Sequence, residues 1–391
     1  MKIRNFVFLF CVMIVFLFCI FGSIHNVSLY GLKYFSLIEN REFAHFENVK
    51  FNNFFNKELQ VNLENSLSDQ FFRADELRVK YFDNLLFLDY RNIPELICKN
   101  KYVKVDSIIG SFNCDDLFMY RYDKNFYNGI ISKIENNLFL YNDINKLVDA
   151  YYFYIPAGQG YDFEKESNEV DIEYYFDKYF DSNYTYFEFD VFNYDDYRKY
   201  FHKTDHHWNQ EGAYKAYSEI IKVFAGEEPK EITLKKTFLD TNFYGTFARR
   251  IKYFDIKEPF SISYVDVGDY SLKFNGEEEE MYRENPYLIG DYMTYEYFNH
   301  YSHLTGSDEK LKVYDFNDAS KENILIFSNS YGNSVNPLIA SHFNKTHVMD
   351  FRYIDELINI KDYIEENNIT KLLVIVDYWL FQTEINNMEV K

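Results

Sequence analysis

Ile324-Leu325-Ile326-Phe327-Ser328-Asn329-Ser330-Tyr331-Gly332-Asn333-Ser334 runs from an unbroken apolar stretch into a turn of small polar residues and on into a helical pattern. An apolar run with no polar alternation is buried on both faces, the condition of a central strand in a parallel sheet covered by helices on each side. Two more such runs follow at 346–351 and 372–377, separated by helical stretches at 334–342 and 354–366. Upstream the alternation recurs: 149–155 and 184–189 read as extended, and 173–180, 195–203 and 211–224 as helical. Strands that alternate with helices predict an α/β fold. Between the two regions, residues 226–312 are acidic at Glu277 to Glu280, rich in Tyr and without clean helical periodicity, and read as an insertion or lid.

The quoted turn also carries chemistry. Ser330 stands at the carboxyl end of a central strand, where open α/β sheets place their ligands. Backbone N–H groups at the start of the next helix, those of Tyr331 and Gly332, are free to hold an oxyanion. Ser328 is still on the strand and Ser334 already in the helix, so Ser330 is the best-placed nucleophile. The alternative is an ordinary strand-to-helix connection.

Far upstream, Lys203-Thr204-Asp205-His206-His207-Trp208-Asn209 offers the partners. On an extended turn Asp205 and His207 lie on one side of the chain. The carboxylate then holds one ring nitrogen, sets the tautomer and stabilises the imidazolium formed when the other nitrogen takes a proton from a hydroxyl. Asn209 is a candidate N-cap for the helix that follows, and Trp208 is expected behind the imidazole. A polar loop whose histidines satisfy buried partners is the competing reading. His202, Asp205, His206 and His207 also suggest a metal site, but that needs three converging ligands, and adjacent histidines on an extended segment point to opposite sides. No metal and no cofactor are assigned.

The chain has 391 residues, enough for one large domain with an insertion or for two smaller ones, and 47% hydrophobic content supplies a large core. A formal net charge of −21 repels a phosphate backbone, so nucleic acid is not an expected partner. Phe6 to Phe21 is unbroken and apolar behind Lys2 and Arg4. Extended over residues 5–24, it makes a helix of about 30 Å at ~1.5 Å per residue, long enough to cross a bilayer. The preceding positive charges place the remainder outside that membrane. A cleaved signal peptide competes, although no A-x-A-like site ends the segment. Residues 40–78 read as an amphipathic lead-in helix with Phe51, Phe54, Phe55, Leu59 and Leu63 on one face. Cys98 and Cys114 are the cysteines outside the apolar segment, and a bridge between them across a hairpin is open if the compartment is oxidising.

Five stretches together resemble a known family. These are Asp205-His206-His207-Trp208 with Asn209-Gln210-Glu211-Gly212, Asn329 to Ser334 with Pro337-Leu338, Asp350-Phe351-Arg352-Tyr353, Glu39-Asn40-Arg41 and Asp69-Gln70-Phe71-Phe72-Arg73. The sequence resembles the DHHW family and, more distantly, the alginate O-acetyltransferase-like SGNH hydrolases. The resemblance implies a flavodoxin-like three-layer α/β/α SGNH-hydrolase-type domain over 81–391 with an insertion at about 226–312, behind a membrane anchor (1–24) and a helical lead-in (25–80). It implies a triad of Asp205, His207 and Ser330 that moves acyl groups, commonly acetyl, onto or off carbohydrate hydroxyls. A separate multi-spanning membrane O-acyltransferase would supply the acyl donor. His206 falls at the motif's variable position and receives no catalytic role. Two departures stand out: the usual Gly-Asp-Ser is here Ser328-Asn329-Ser330, and the glycine oxyanion donor has Gly245 as its candidate. Asn329 motivates the alternative of a non-catalytic glycan-binding or assembly protein that keeps the fold.

Overall fold

The computed structural model describes residues within 7–17, 35–44, 58–81, 101–121, 135–156, 172–278, 300–377 and 385–391, short gaps excepted. They divide into two compact units: one comprises Met1–Pro94, Ala248–Asp255 and Tyr297–Asn299, the other Glu95–Phe247, Ile256–Glu296 and His300–Lys391.

The larger unit is built on an eight-stranded sheet. In chain order its strands are β1 (Asp149–Ile155), β2 (Tyr184–Glu188), β3 (Ser271–Phe274), β4 (Glu277–Glu278), β5 (Leu311–Asp315), β6 (Asn323–Ser328), β7 (Lys345–Met349) and β8 (Ile369–Asp377). Across the sheet the order is β4-β3-β5-β7-β6-β8-β1-β2. Strands β7, β6, β8, β1 and β2 are mutually parallel, with Ser328 opposite Ile375 and Asp377 opposite Ile155.

Both faces of this parallel core are buried, and alternate residues explain how. Ile324 and Ile326 of β6 share one cluster with Leu373, Ile375, Phe153 and Ile155. Against them packs the helix Gln210–Phe224 through Ala213, Ala216, Tyr217, Ile220 and Phe224, a 3- and 4-residue spacing that makes one stripe. Leu325 and Phe327 point the other way, to Leu372, Val374, Tyr152 and Tyr154, with Phe176 and Ile360 from helices Ile172–Tyr179 and Ile360–Glu366. Each such side chain removed from water contributes about 1.5–3 kcal/mol, so the unbroken apolar run at 324–327 is the product of two packed faces.

The sheet as a whole is mixed, not wholly parallel: β3, β4 and β5 extend it as antiparallel strands. β5 alternates half-exposed and buried positions, the pattern of a strand with one wet face. Residues 271–278 lie inside the stretch read as an insertion, yet they are part of the main sheet. Elsewhere in that stretch Ile232–Asn242 and Pro259–Val265 pair as a separate antiparallel ribbon. Two helical expectations also shift. Of the stretch 334–342 only Asn336–Ala340 is helical, with Pro337 near its start, and a separate short helix, Ser330–Asn333, precedes it. Helix 354–366 begins only at Ile360, because Asn359 caps it after pairing as Ile358–Asn359 with Met388–Glu389.

In the smaller unit a single lead-in helix over 40–78 is not what forms. Arg41–Glu42 pairs with Phe35–Ser36 as strand, and the helix Glu58–Asp69 is interrupted before helical residues 74–81. Phe51, Phe54 and Phe55 lie outside the described residues, as do the side chains of Leu59 and Leu63. Residues 7–15 are helical and expose apolar side chains such as Phe8 and Leu9. Among the described residues no helix is long and apolar enough to cross a membrane. Cys98 and Cys114 fall outside the described residues.

Candidate active site

The Asp-His-His-Trp segment is the return arm of a tight loop. Phe201 and Trp208 form an isolated antiparallel bridge, His202 N–H donates to the His207 carbonyl at 3.1 Å, and Asn209 N–H donates to the Tyr200 carbonyl at 2.8 Å. As its residue type predicts, Asn209 caps Gln210–Phe224: its side-chain oxygen accepts from Glu211 N–H and Gly212 N–H, while Nδ2 donates to the Lys199 and Phe201 carbonyls.

Within the loop Asp205 Oδ1 accepts from the His207 backbone N–H at 2.9 Å and lies 2.5 Å from His207 Nδ1. His207 Nε2 lies 2.8 Å from Ser330 Oγ. The three residues named from sequence are therefore brought together, across 123 positions of chain. Asp205 is buried, which disfavours its charge, but His206 and His207, the ring hydrogen bond and the Thr246 N–H outweigh that and hold its carboxyl well below the usual range. An ionised carboxylate only accepts, so Nδ1 carries the proton toward Asp205, and Nε2 is left to accept from the Ser330 hydroxyl.

Ser330 opens the short helix after β6, and Tyr301 Oη donates to its carbonyl at 3.0 Å. The Tyr301 ring also stacks on the His207 imidazole at 4.1 Å and 15°. This is the place expected for Trp208. That indole instead meets Tyr331 at 5.2 Å and donates Nε1–H to Ser334 Oγ at 2.7 Å, tying the loop to the turn that carries Ser330.

No protein-family model matches the chain, and no curated protein matches it significantly. Solved structures do. The chain shares its fold with a DHHW family protein. That protein, from Eubacterium siraeum, is 18% identical, with a TM-score of 0.52 over 74% of this chain and 98% of its own. Bacillus cereus PatB1, solved with a sulfonyl adduct, is 19% identical, with a TM-score of 0.55 over 72% and 98%. The O-acetyltransferase domain of Pseudomonas putida AlgJ overlaps with a TM-score of only 0.33 at 9% identity, too loose to bear on this chain.

Two expectations about the site are corrected. The segment at His206 and His207 is bent, not extended, and their rings lie 3.8 Å apart, tilted by 37°. Asp205, His206 and His207 consequently hold donor atoms within 4.8 Å of one another, a group able in principle to take a cation. A cation bound by Nδ1 of His207 would have to break its hydrogen bond to Asp205. The oxyanion donors also differ. Tyr331 N–H donates to Asn329 Oδ1 at 3.0 Å and Gly332 N–H to the Asn329 carbonyl at 2.9 Å. Gly245 N–H donates to Thr204 Oγ1 at 3.0 Å and lies against Asp205, where a Cβ would come within 2.2 Å of the Asp205 Cβ.

Gly245 belongs to a clasp that sequence did not reveal. Thr246 N–H donates to Asp205 Oδ2 at 2.5 Å, Thr204 Oγ1 to the Phe243 carbonyl, and Lys203 N–H to Glu258 Oε2, whose Oε1 holds His202 Nδ1 at 2.8 Å. The turn that carries Ser330 has its own brace. Lys312 Nζ donates to Asn333 Oδ1, Asn333 Nδ2 to Asp308, and Arg352 binds both Asp308 and Asp350. Burial pushes Lys312 down to about 8. Nothing in the spacing of Glu258, Tyr301 or Asp308 marks them; they join the site only through the fold.

Proposed function

We propose that the chain is an O-acyltransferase or acyl esterase, acetyl being the acyl group the family resemblance favours, acting on a cell-envelope or exported glycan. The observation that carries this is the His207 ring, hydrogen-bonded through Nδ1 to Asp205 and through Nε2 to Ser330 Oγ. In this mechanism Ser330 Oγ attacks the acyl carbonyl carbon as its proton moves to His207 Nε2, and Asp205 holds the imidazolium. The Ser330 amide, a first-turn donor beyond the reach of any intrahelical acceptor, takes the oxyanion, since the Tyr331 and Gly332 amides are engaged. Collapse expels the alcohol, which regains the proton from Nε2. A sugar hydroxyl or water then attacks the acyl-enzyme with His207 again as base; which of the two arrives separates transferase from esterase.

The SGNH-type label and the membrane setting belong to the same proposal. Residues 5–24 anchor the chain as a single pass, supported by the exposed apolar side chains of residues 7–15, with the catalytic unit outside. A multi-spanning membrane O-acyltransferase hands over the acyl group. The internally bonded Tyr331 and Gly332 amides favour one second reading, a glycan-binding protein without turnover.

The two part in one experiment. The full chain, in detergent, should release acetate from an activated acetyl ester and take a sulfonyl adduct on Ser330 when treated with a sulfonyl fluoride. Ser330→Ala should do neither. Glycan binding with no hydrolysis and no adduct in the wild type would leave the second reading standing.

A further inference from the structure

The nucleophile is held by a residue whose type departs from the family pattern. β6 and β8 are parallel neighbours, with Ser328 beside Ile375, so Asn329 and Asp377 meet where the two strands end. Both are buried, at 7% and 1% exposure. Asn329 Nδ2 donates to Asp377 Oδ1 at 2.8 Å, and Asn329 Oδ1 accepts from Tyr331 N–H at 3.0 Å. The orientation of that amide is decided by its partners, since a carboxylate only accepts and a backbone N–H only donates. Tyr331 passes the constraint on: its hydroxyl donates to the His206 carbonyl, and its ring lies 5.0 Å from that of His207.

We propose that Asn329 is a positioning residue for the Ser330 nucleophile, and that it does this as half of a pair with Asp377 in which a carboxamide must face the carboxylate. The proposal rests on the catalytic reading above. An aspartate at 329 would still accept from Tyr331 N–H, but its second oxygen would face Asp377 across 2.8 Å with no proton between them. Two carboxylates that close either separate or share a proton. Separation would move the turn that carries Ser330 and loosen Tyr331 from the histidine loop. Among the described residues, the other titratable groups around Tyr331 are the phenols of Tyr197 and Tyr301, the carboxylate of Asp205 and the imidazoles of His206 and His207. Tyr331 is pushed well above its ordinary range by burial first, then by Asp377, Tyr197, Asp205 and Tyr301. On this view the Asn for Asp exchange is matched to Asp377 and is not a mark of lost activity.

The test is a reciprocal swap in the full chain: wild type, Asn329→Asp, Asp377→Asn and the double variant, followed by sulfonyl fluoride labelling of Ser330 and by thermal unfolding across pH. Asn329→Asp should label about 10²-fold more slowly near neutral pH, the scale of an ångström of misplacement. Relative to wild type at the same pH, its rate and Tm should both recover part of the loss toward about pH 5, as the pair takes up its proton. Asp377→Asn, which leaves two amides facing each other, should fall between. The double variant, with carboxylate and amide exchanged, should return to within about 5-fold of wild type with no acid recovery, the signature of coupled neighbours. Wild-type labelling by Asn329→Asp, or a double variant of normal Tm that labels no faster than Asn329→Asp, would overturn the pairing. The Tm pattern reads the pair without reference to activity. An unreactive wild type with the expected Tm pattern therefore sinks the catalytic reading, and a reactive wild type without it sinks this one.

Discussion

Asp69 in the smaller unit and Asp205 in the larger are both carboxylates at 3% exposure, and both accept a backbone N–H from another segment, Ala44 for the first and Thr246 for the second. Their other partners separate them. Asp69 is gripped by Arg41 through two hydrogen bonds, at 2.7 and 2.8 Å, and by Arg78 at 2.6 Å. Burial alone would raise its carboxyl, but Arg41, Ala44 and Arg78 hold it far below the ordinary range. Arginine stays protonated, so this network has no exit for a proton and serves as a brace. Asp205 is gripped by an imidazole, and an imidazole has a second nitrogen. The same burial and the same acceptor role become one end of a hydrogen-bonded chain because His207 continues to Ser330. Both motifs, Glu39-Asn40-Arg41 with Asp69 and Asp205 with His207, belong to the resemblance; only the second is hydrogen-bonded onward to a serine hydroxyl.

The largest effects should fall on the path itself. Asp205→Asn should leave the fold and Tm close to wild type while lowering ester release by about 10³–10⁴-fold, because an amide no longer enforces the Nδ1–H tautomer. Retained activity would mean that His207 is not held in this way. Next comes Gly245→Ala, where the added Cβ falls 2.2 Å from the Asp205 Cβ and 2.6 Å from the Thr204 carbonyl oxygen. Displacing Asp205 by a fraction of an ångström should reduce turnover by roughly 10²-fold with a smaller change in KM, and a crystal structure of the variant should show the carboxylate moved.

Breaking the brace should do the reverse. Arg41→Ala is expected to lower stability by about 1–3 kcal/mol, since it strips a buried acceptor of partners, without altering the rate of ester release per folded molecule. The pH dependence has a definite sign. The folded pKa of Asp69 lies below its unfolded value, so its contribution is complete above about pH 4 and is lost as pH falls toward the folded value. The Tm difference between wild type and Arg41→Ala should therefore shrink in acid, and a constant difference would argue against Asp69 as the origin. Smallest is Tyr301→Phe, which removes the hydrogen bond to the Ser330 carbonyl but keeps the ring against His207. A loss of about 1 kcal/mol, several-fold in rate, is expected; a loss as large as that of Asp205→Asn would make the hydroxyl itself part of the chemistry.

What sequence alone determined lies in signals that are local. The unbroken run at 324–327 announces a strand buried on both faces, Asn209 its own cap, and Asp205, His207 and Ser330 the functional groups that the fold brings together, because burial pattern, capping and functional group are properties of a few neighbouring residues. Tertiary structure decided whatever depends on residues far apart in the chain. It bent the His206-His207 segment, sent Trp208 to Ser334 and put Tyr301 against the imidazole. It engaged the Tyr331 and Gly332 amides in a cap, placed Gly245 behind Asp205 and turned residues 271–278 into strands of the main sheet. The physical reason is that a hydrogen bond or ring contact is settled by distances of a few ångströms in space, and the strand ends that bring Asn329 to Asp377 are 48 positions apart along the chain.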